Sequence, residues 1–372
     1  MNISLTTQSY LFMYKSIRIS LLAAFFIIYS QITLGQTQKE KAYEKGIAAI
    51  ELMDNGKFEE SIQLLKEAQK IDPKDINYPY EIAYAYYAMK DYKKAIKYLE
   101  GILDHEDVND LVFQLLGNAY DNIGKSEKAM EIYQTGLKLF PNSGNLYLEM
   151  GVVQLGKEEY NKALEYFEKG IDAEPEFPSN YYWAAKLFCN STEEVWGLIY
   201  GEIFMNLERN SRRTAEISKL LYDTYKSEIT LKNDSASIDF CNIIMNADDI
   251  IDTEKIKFPF CMVFGQAMLL AIIDIKNIDI NSLDTIRTRF LENYYKMEYE
   301  KTHPNSLFAY LDKIHKAGHF EAYNHWILMK GDEDAFVKWQ KENKGKWDNF
   351  VKWFTDNELI MNNINKFNRH QY

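Results

Sequence analysis

Proline and glycine are scarce: 372 residues hold seven prolines and 17 glycines. Strands need frequent turn signals, and long stretches here carry none, so helices are the expectation. Cysteine is rarer still, with Cys189, Cys241 and Cys261 all in apolar, helical-looking surroundings. Three cysteines allow at most one intrachain disulfide. No CxxC pair suggests redox work, and buried free thiols are the expected state. Basic residues are also short: 43 Lys and Arg against 55 Asp and Glu leave a net charge of −12, with no basic block in the body of the chain. That balance argues against non-specific nucleic-acid binding. Long apolar runs are missing after the N-terminus. Phe258 to Ile273 comes nearest, but Pro259, Gly265 and Gln266 interrupt it, and it falls short of the about 20 residues a membrane span takes. It reads as a helix buried on all sides.

What is present suits a folded chain. Hydrophobic residues at 47% can fill a core, which excludes wholesale disorder. The length fits two units, or one extended array with an appendage. At the N-terminus, Lys15 and Arg18 precede the apolar run Ile19 to Tyr29, and Thr33-Leu34-Gly35 places small residues at the −3 and −1 positions. This is the three-part pattern of a secretory signal, with cleavage expected before Gln36. Gln36 stands where a lipoprotein would need cysteine, so lipidation is not expected. Residues 1–35 are accordingly set apart as a signal peptide. Usage heavy in Lys, Asn, Ile and Tyr, with this signal, points to a bacterial envelope and a periplasmic or extracellular product.

An internal period of 34 residues runs from Ala42 without insertion, with blocks opening at Ala42, Ile76, Asp110, Gly144 and, more weakly, Pro178. Position 8 reads Ala49, Ala83, Gly117, Gly151 and Ala185; position 20 reads Ser61, Ala95, Ala129, Ala163 and Gly197. All are small, and the two positions are expected to face each other where paired helices cross closely. Large residues fill around them: Leu65, Leu99, Tyr133 and Phe167 share position 24. Pro73, Pro141 and Pro175 at position 32 stop the second helix of each pair, since proline lacks the amide a helix interior requires.

This pattern resembles the tetratricopeptide repeat family over residues 42–177, and more loosely to 211. Asp107 stands where the second block should have proline, and Glu194, Gly201 and Arg209 depart from the pattern in the fifth. The resemblance implies a right-handed superhelix of tetratricopeptide-type helix pairs over residues 36–211; with a helical C-terminal region, 212–372, read from its own apolar stripes, an all-α chain is expected. The resemblance also implies that the first helix of each pair lines a concave groove. Positions 2, 5, 9 and 12 share that face, since steps of three and four return to one side of a helix. The second block then offers Tyr80, Tyr84 and Tyr87, the third Gln114, Asn118 and Asp121, and the fourth Leu148, Val152 and Leu155. Aromatic and amide groups suit an extended peptide or protein partner. Family members that clamp terminal carboxylates carry lysine and asparagine where this chain has Gly46 and Ile50, so that mode is not expected.

Beyond about residue 212 the ruler is expected to fail while helical stripes continue, one through Ile217, Leu220, Leu221 and Tyr225, another through Leu283, Ile286, Phe290, Leu291 and Tyr294. Asn233-Asp234-Ser235 reads as a loop. A Phe-Val-Lys-Trp echo recurs at Phe336 and Phe350, with Gly345 expected to break the helix between. His315, His319 and His325 form the one cluster with metal-like spacing, but a helix ending at Lys316-Ala317-Gly318 would part the first two rings, and no HExxH accompanies them. No metal or other cofactor is expected. GxGxxG, GxxxxGK[ST] and GxSxG are all absent. The favoured function is an exported protein–protein interaction scaffold; the alternative is a hydrolase or glycan-processing protein with its site in the C-terminal helices, around His315, His319, His325 and Glu321.

Overall fold

The structure, a computed structural model, describes residues 38–232, 235–242 and 258–372. The expected signal segment, and Asn233 and Asp234 of the expected loop, lie outside those residues. The chain divides into two compact units, one ending at Ala85 and one running from Tyr86 to Tyr372. The junction expected at 211/212 falls inside the second.

In the first unit, α1 (Gln38–Asp54) and α2 (Phe58–Ile71) pair, and α3 (Asn77–Ala88) begins. Ala42, Ala49 and Met53 on α1 and Ile62, Leu65 and Ala68 on α2 are buried, the three- and four-residue steps of a helix with one apolar face.

The second unit takes up the end of α3 and continues with α4 (Tyr92–Glu100), α5 (Asp110–Asn122), α6 (Ser126–Leu139), α7 (Gly144–Gly156), α8 (Tyr160–Ala173), α9 (Pro178–Phe188) and α10 (Glu194–Leu207). Asp91, Asn109 and Ser143 cap α4, α5 and α7 by accepting from the N–H three residues on, which satisfies amides that the first helical turn leaves bare. Within four successive pairs the turn between helices places position 15 in the left-handed region: Gly56 at φ 75°, Lys90 at 64°, Gly124 at 78° and Glu158 at 61°. Two of these are not glycine, so the turn geometry is imposed by the pairing.

At two helix crossings the space above the position-8 glycine is filled by the ring from position 24. A Cβ on Gly117 would lie 2.1 Å from the Tyr133 ring, and one on Gly151 would lie 2.3 Å from Phe167. The small residue makes a socket for an aromatic knob, and Ala129 and Ala163 at position 20 are simply buried beside it.

The C-terminal region opens with α11 (Arg212–Glu228), one full period after Pro178. Its start therefore obeys the ruler, and only the side chains depart from it. Ser211 and Thr214 form a capping box there. Strands β1 (Ile229–Lys232) and β2 (Ser235–Ile238) then pair antiparallel, Ile229 opposite Ile238, a small departure from an all-helical expectation. Next come α12 (Phe260–Ala271), α13 (Ile280–Lys296), α14 (Tyr299–Thr302), α15 (Ser306–Lys316), α16 (Phe320–Leu328), α17 (Glu333–Glu342) and α18 (Lys344–Asp356). Helix α16 is the centre: Phe320 and every residue from Ala322 to Leu328 are buried. Among the described residues no helix is long and apolar enough to cross a membrane.

Three expectations need correction. Cys241 and Cys261 form a disulfide rather than free thiols, tying the chain after β2 to α12. Cys189 remains a thiol, pushed up to about 12 by burial. Helix α12 is not buried on all sides, because Leu269 and Leu270 are 45% and 40% exposed. The break between the two Phe-Val-Lys-Trp segments falls at Asn343, and Gly345 lies in the first turn of α18.

A polar network buried between the repeats and the C-terminal helices ties them together. Arg287 on α13 forks onto Glu202 of α10, Nη2 to Oε1 at 2.5 Å and Nη1 to Oε2 at 3.0 Å. Its Nε donates to Asn324 at 2.8 Å and its Nη1 to the Tyr225 hydroxyl at 3.1 Å. Tyr323 donates to Glu202 at 2.9 Å and accepts from Asn206 at 2.7 Å. A bidentate fork with further hydrogen bonds to the guanidinium and the carboxylate is what a charge pair needs to persist in a core.

Candidate functional site

The expected groove residues fall in both units. Tyr80 and Tyr84 are half-buried on α3 in the first. Tyr87, Gln114, Asn118 and Asp121 belong to the second, on the first-helix face of its repeats, and all four are half-buried.

There the amides have a partner that sequence reasoning missed. Glu149 of α7 is 5% exposed, and Gln114 Nε2 donates to its Oε1 at 2.7 Å. Burial pushes the Glu149 carboxyl up to about 7; hydrogen bonds from Gln114 and Asn118 pull it down, and the nearby Asp121 charge adds to the rise. Asn118 Oδ1 accepts from the Tyr133 hydroxyl, so the ring that fills the Gly117 socket also orients the amide. Asp121 accepts from Ser126 at 2.5 Å. Tyr87 packs edge-on against Tyr92 with centroids 5.3 Å apart, and its hydroxyl accepts from Asn122 at 3.0 Å. Burial, then the Glu149 charge, raise the Tyr87 pKa, so the phenol stays neutral. The face is thus an aromatic edge beside acceptors, preorganised by its own hydrogen bonds.

In the fourth block, Leu148 is fully buried and leaves the face, while Val152 and Leu155 stay half-exposed. The fifth pair's face is closed by α11: Glu216 takes the Tyr182 hydroxyl at 2.7 Å and Lys186 Nζ at 2.6 Å. Beside them Trp183 stacks on Phe167 at 6.2 Å and lies under Lys186. The one signal for Glu149 was a lone acid within the apolar run Leu146 to Val153.

The histidines diverge. Helix α15 ends at Lys316 and Gly318 turns at φ 77°, so His315 and His319 leave in different directions. His315 lies 3.9 Å from Glu292, and His319 packs on Trp353. His325, 2% exposed, stacks on Trp339 at 4.1 Å, and Glu321 accepts from the same indole at 2.9 Å. Burial lowers the pKa of both His319 and His325. Among the described residues no three His, Cys, Asp or Glu side chains are grouped to hold a metal ion. A cavity of about 20 Å³ beside Glu202 and Arg287 has room for one water.

Family models described as tetratricopeptide repeat match residues 52–119, 112–143 and 144–177. Residues 52–177 therefore carry tetratricopeptide repeats. Among curated proteins, the chain is 28% identical over 120 residues to BBSome complex member BBS4 of Bos taurus, covering 32% of this chain and 23% of that one. It is 23% identical over 183 residues to tetratricopeptide repeat protein 8 of Caenorhabditis elegans, covering 46% and 36%. The chain thus spans well under half the length of either relative. Among solved structures, pilF of Pseudomonas aeruginosa aligns at 20% identity and a TM-score of 0.43, covering 52% of this chain and 86% of that one.

Proposed function

With tetratricopeptide repeats occupying residues 52–177, we propose that this chain is an exported interaction scaffold that binds an extended peptide or protein partner along the first-helix face of its repeats. Stacked repeats of this kind present extended surfaces suited to partners. One curated relative is named as a member of a complex and another as a subunit of one. The observation that carries the reading is the half-buried Tyr87, held against Tyr92 and fixed at its hydroxyl by Asn122. A tyrosine locked this way offers apolar area at little entropic cost, which is the usual character of a binding anchor. Gln114, Asn118 and Asp121 supply amide and carboxylate groups beside it; in the first unit, Tyr80 and Tyr84 are half-buried residues of the same type.

Export is supported by the basic, apolar and small-residue order before Gln36, and by the Cys241–Cys261 disulfide, since such bonds persist in oxidising compartments. Intact mass of the natively secreted product should begin at Gln36; a soluble product retaining Met1 or Met13 would overturn export. For the binding face, a partner captured from the native envelope should bind the Tyr80→Ala, Tyr87→Ala double variant about 2 kcal/mol more weakly. Unchanged affinity in a variant with wild-type circular dichroism would move the contact surface elsewhere.

A further inference from the structure

The end of the chain folds back on the opposite side of the repeats. Phe367, 1% exposed, packs edge-on against Tyr200 of α10 at 5.6 Å. Arg369 Nε donates to Glu168 Oε1 of α8 at 2.8 Å, and its backbone N–H donates to the Tyr200 hydroxyl at 3.2 Å. His370 Nε2 lies 3.2 Å from Glu168 Oε2. Tyr372 stacks on Trp196 at 6.1 Å.

The repeat ruler shows what this segment covers. Glu168 occupies position 25; its counterparts Lys66, Glu100 and Gln134 are half-exposed or exposed, whereas Glu202 in the fifth block is 4% exposed beneath Arg287 of the C-terminal helices. Position 25 is therefore an outer position that faces solvent in the first three blocks and is covered by other chain in the last two. Glu168 is 2% exposed under the terminal segment and the Tyr200 hydroxyl, which donates to its Oε1 at 2.9 Å. The segment supplies what a covered carboxylate demands, a guanidinium in hydrogen-bond contact. Its departure would open Glu168 to water, as Lys66, Glu100 and Gln134 are, while the Tyr200 hydroxyl still donates to the carboxylate. Upstream, the connection is exposed: Ile364 is 97% exposed, outside any helix.

We propose that the second-helix face of the fourth and fifth pairs, centred on Glu168, Tyr200 and Trp196, is a peptide-binding site, separate from the first-helix face, for a segment carrying an aromatic residue two positions before an arginine. Lys366–Tyr372 is the occupant in this chain, bound reversibly and exchangeable with the same segment of a second copy. The site reads the arginine through Glu168 and the aromatic residue through Tyr200 and Trp196.

The test uses the full chain with a protease site built around Ile364, cut after folding, and a labelled peptide spanning residues 366–372. The labelled peptide should displace the cut segment saturably, the peptide with Arg369→Ala should compete at least tenfold less well, and Glu168→Ala in the protein should weaken uptake of the wild-type peptide tenfold or more. No uptake after cutting, or equal uptake of the two peptides, overturns the proposal. Hydrogen exchange on the uncut chain gives an arm that does not depend on cutting: the Arg369 amide should exchange at least tenfold faster than the amides of α16. Equal protection would make the segment part of the permanent core and overturn the proposal as well.

Discussion

The repeats and the C-terminal helices of the second unit are both helical and both well packed, yet they are joined in opposite ways. In the repeats one joint is used again: a position-24 ring enters a position-8 socket, as Tyr133 does at Gly117 and Phe167 at Gly151. Partners there lie on the two helices of one pair. In the C-terminal region each joint occurs once and reaches far along the chain: 85 residues separate Arg287 from Glu202, 117 separate Asn206 from Tyr323, and 201 separate Glu168 from Arg369. Periodic packing spreads stability over many small equivalent contacts. Single-use packing concentrates it in a few places where one substitution is felt at once.

The largest expected effect is therefore at Arg287. Arg287→Met leaves Glu202 buried without its cation and should cost about 3–5 kcal/mol in urea unfolding. Adding Glu202→Leu should recover most of that loss, since a buried pair exchanged for apolar residues is often neutral. A single variant losing under about 1 kcal/mol would erase the contrast between the regions.

At Glu149 the repeats behave like the C-terminal region, with a buried carboxylate held by the side-chain amides of another helix. Burial raises its folded pKa to about 7 from the ordinary carboxylate value of 4.5. Between those values the folded protein holds a proton that the unfolded chain has released, so this contribution to stability is full below 4.5 and is lost as pH rises through 7. Glu149→Gln removes the dependence. Relative to wild type it should gain on the order of 2–3 kcal/mol between pH 4 and pH 8. A difference that stays constant with pH would show that burial does not hold the proton there.

The smallest effect tests the periodicity itself. Gly151→Ala places a Cβ 2.3 Å from Phe167 and should cost about 2 kcal/mol by overpacking. Gly117→Ala, against Tyr133, should cost about the same by thermal melting, with Phe167→Leu partly rescuing the first and Tyr133→Leu the second. Unequal costs would mean that the sockets are not interchangeable.

The repeat half was legible because its constraints are local and recur. A small residue at position 8 is visible in every block and a large one at position 24 in the first four, but spacing shows which residues share a face and not which ring enters which gap. The candidate face was legible in its residue types and not in their bonding. Gln114 and Asn118 point where helix geometry places them, yet they serve Glu149, which lies on another helix and carries no periodic mark. The disulfide was one of three pairings that three cysteines permit, and the exposed edge of α12 depends on where its neighbours stop.

By itself the sequence determined the helical class, the 34-residue period, the stops of the repeat helices and the residue types along their first-helix face, because each rests on contacts within a few turns of chain. Tertiary structure alone decided the ion pair of Glu202 with Arg287, the divergence of His315, His319 and His325, and the covering of Glu168 by the last residues. Those joints bring together groups from 85 to about 200 residues apart. Burial and hydrogen-bond satisfaction select such partners only once the chain has folded around them.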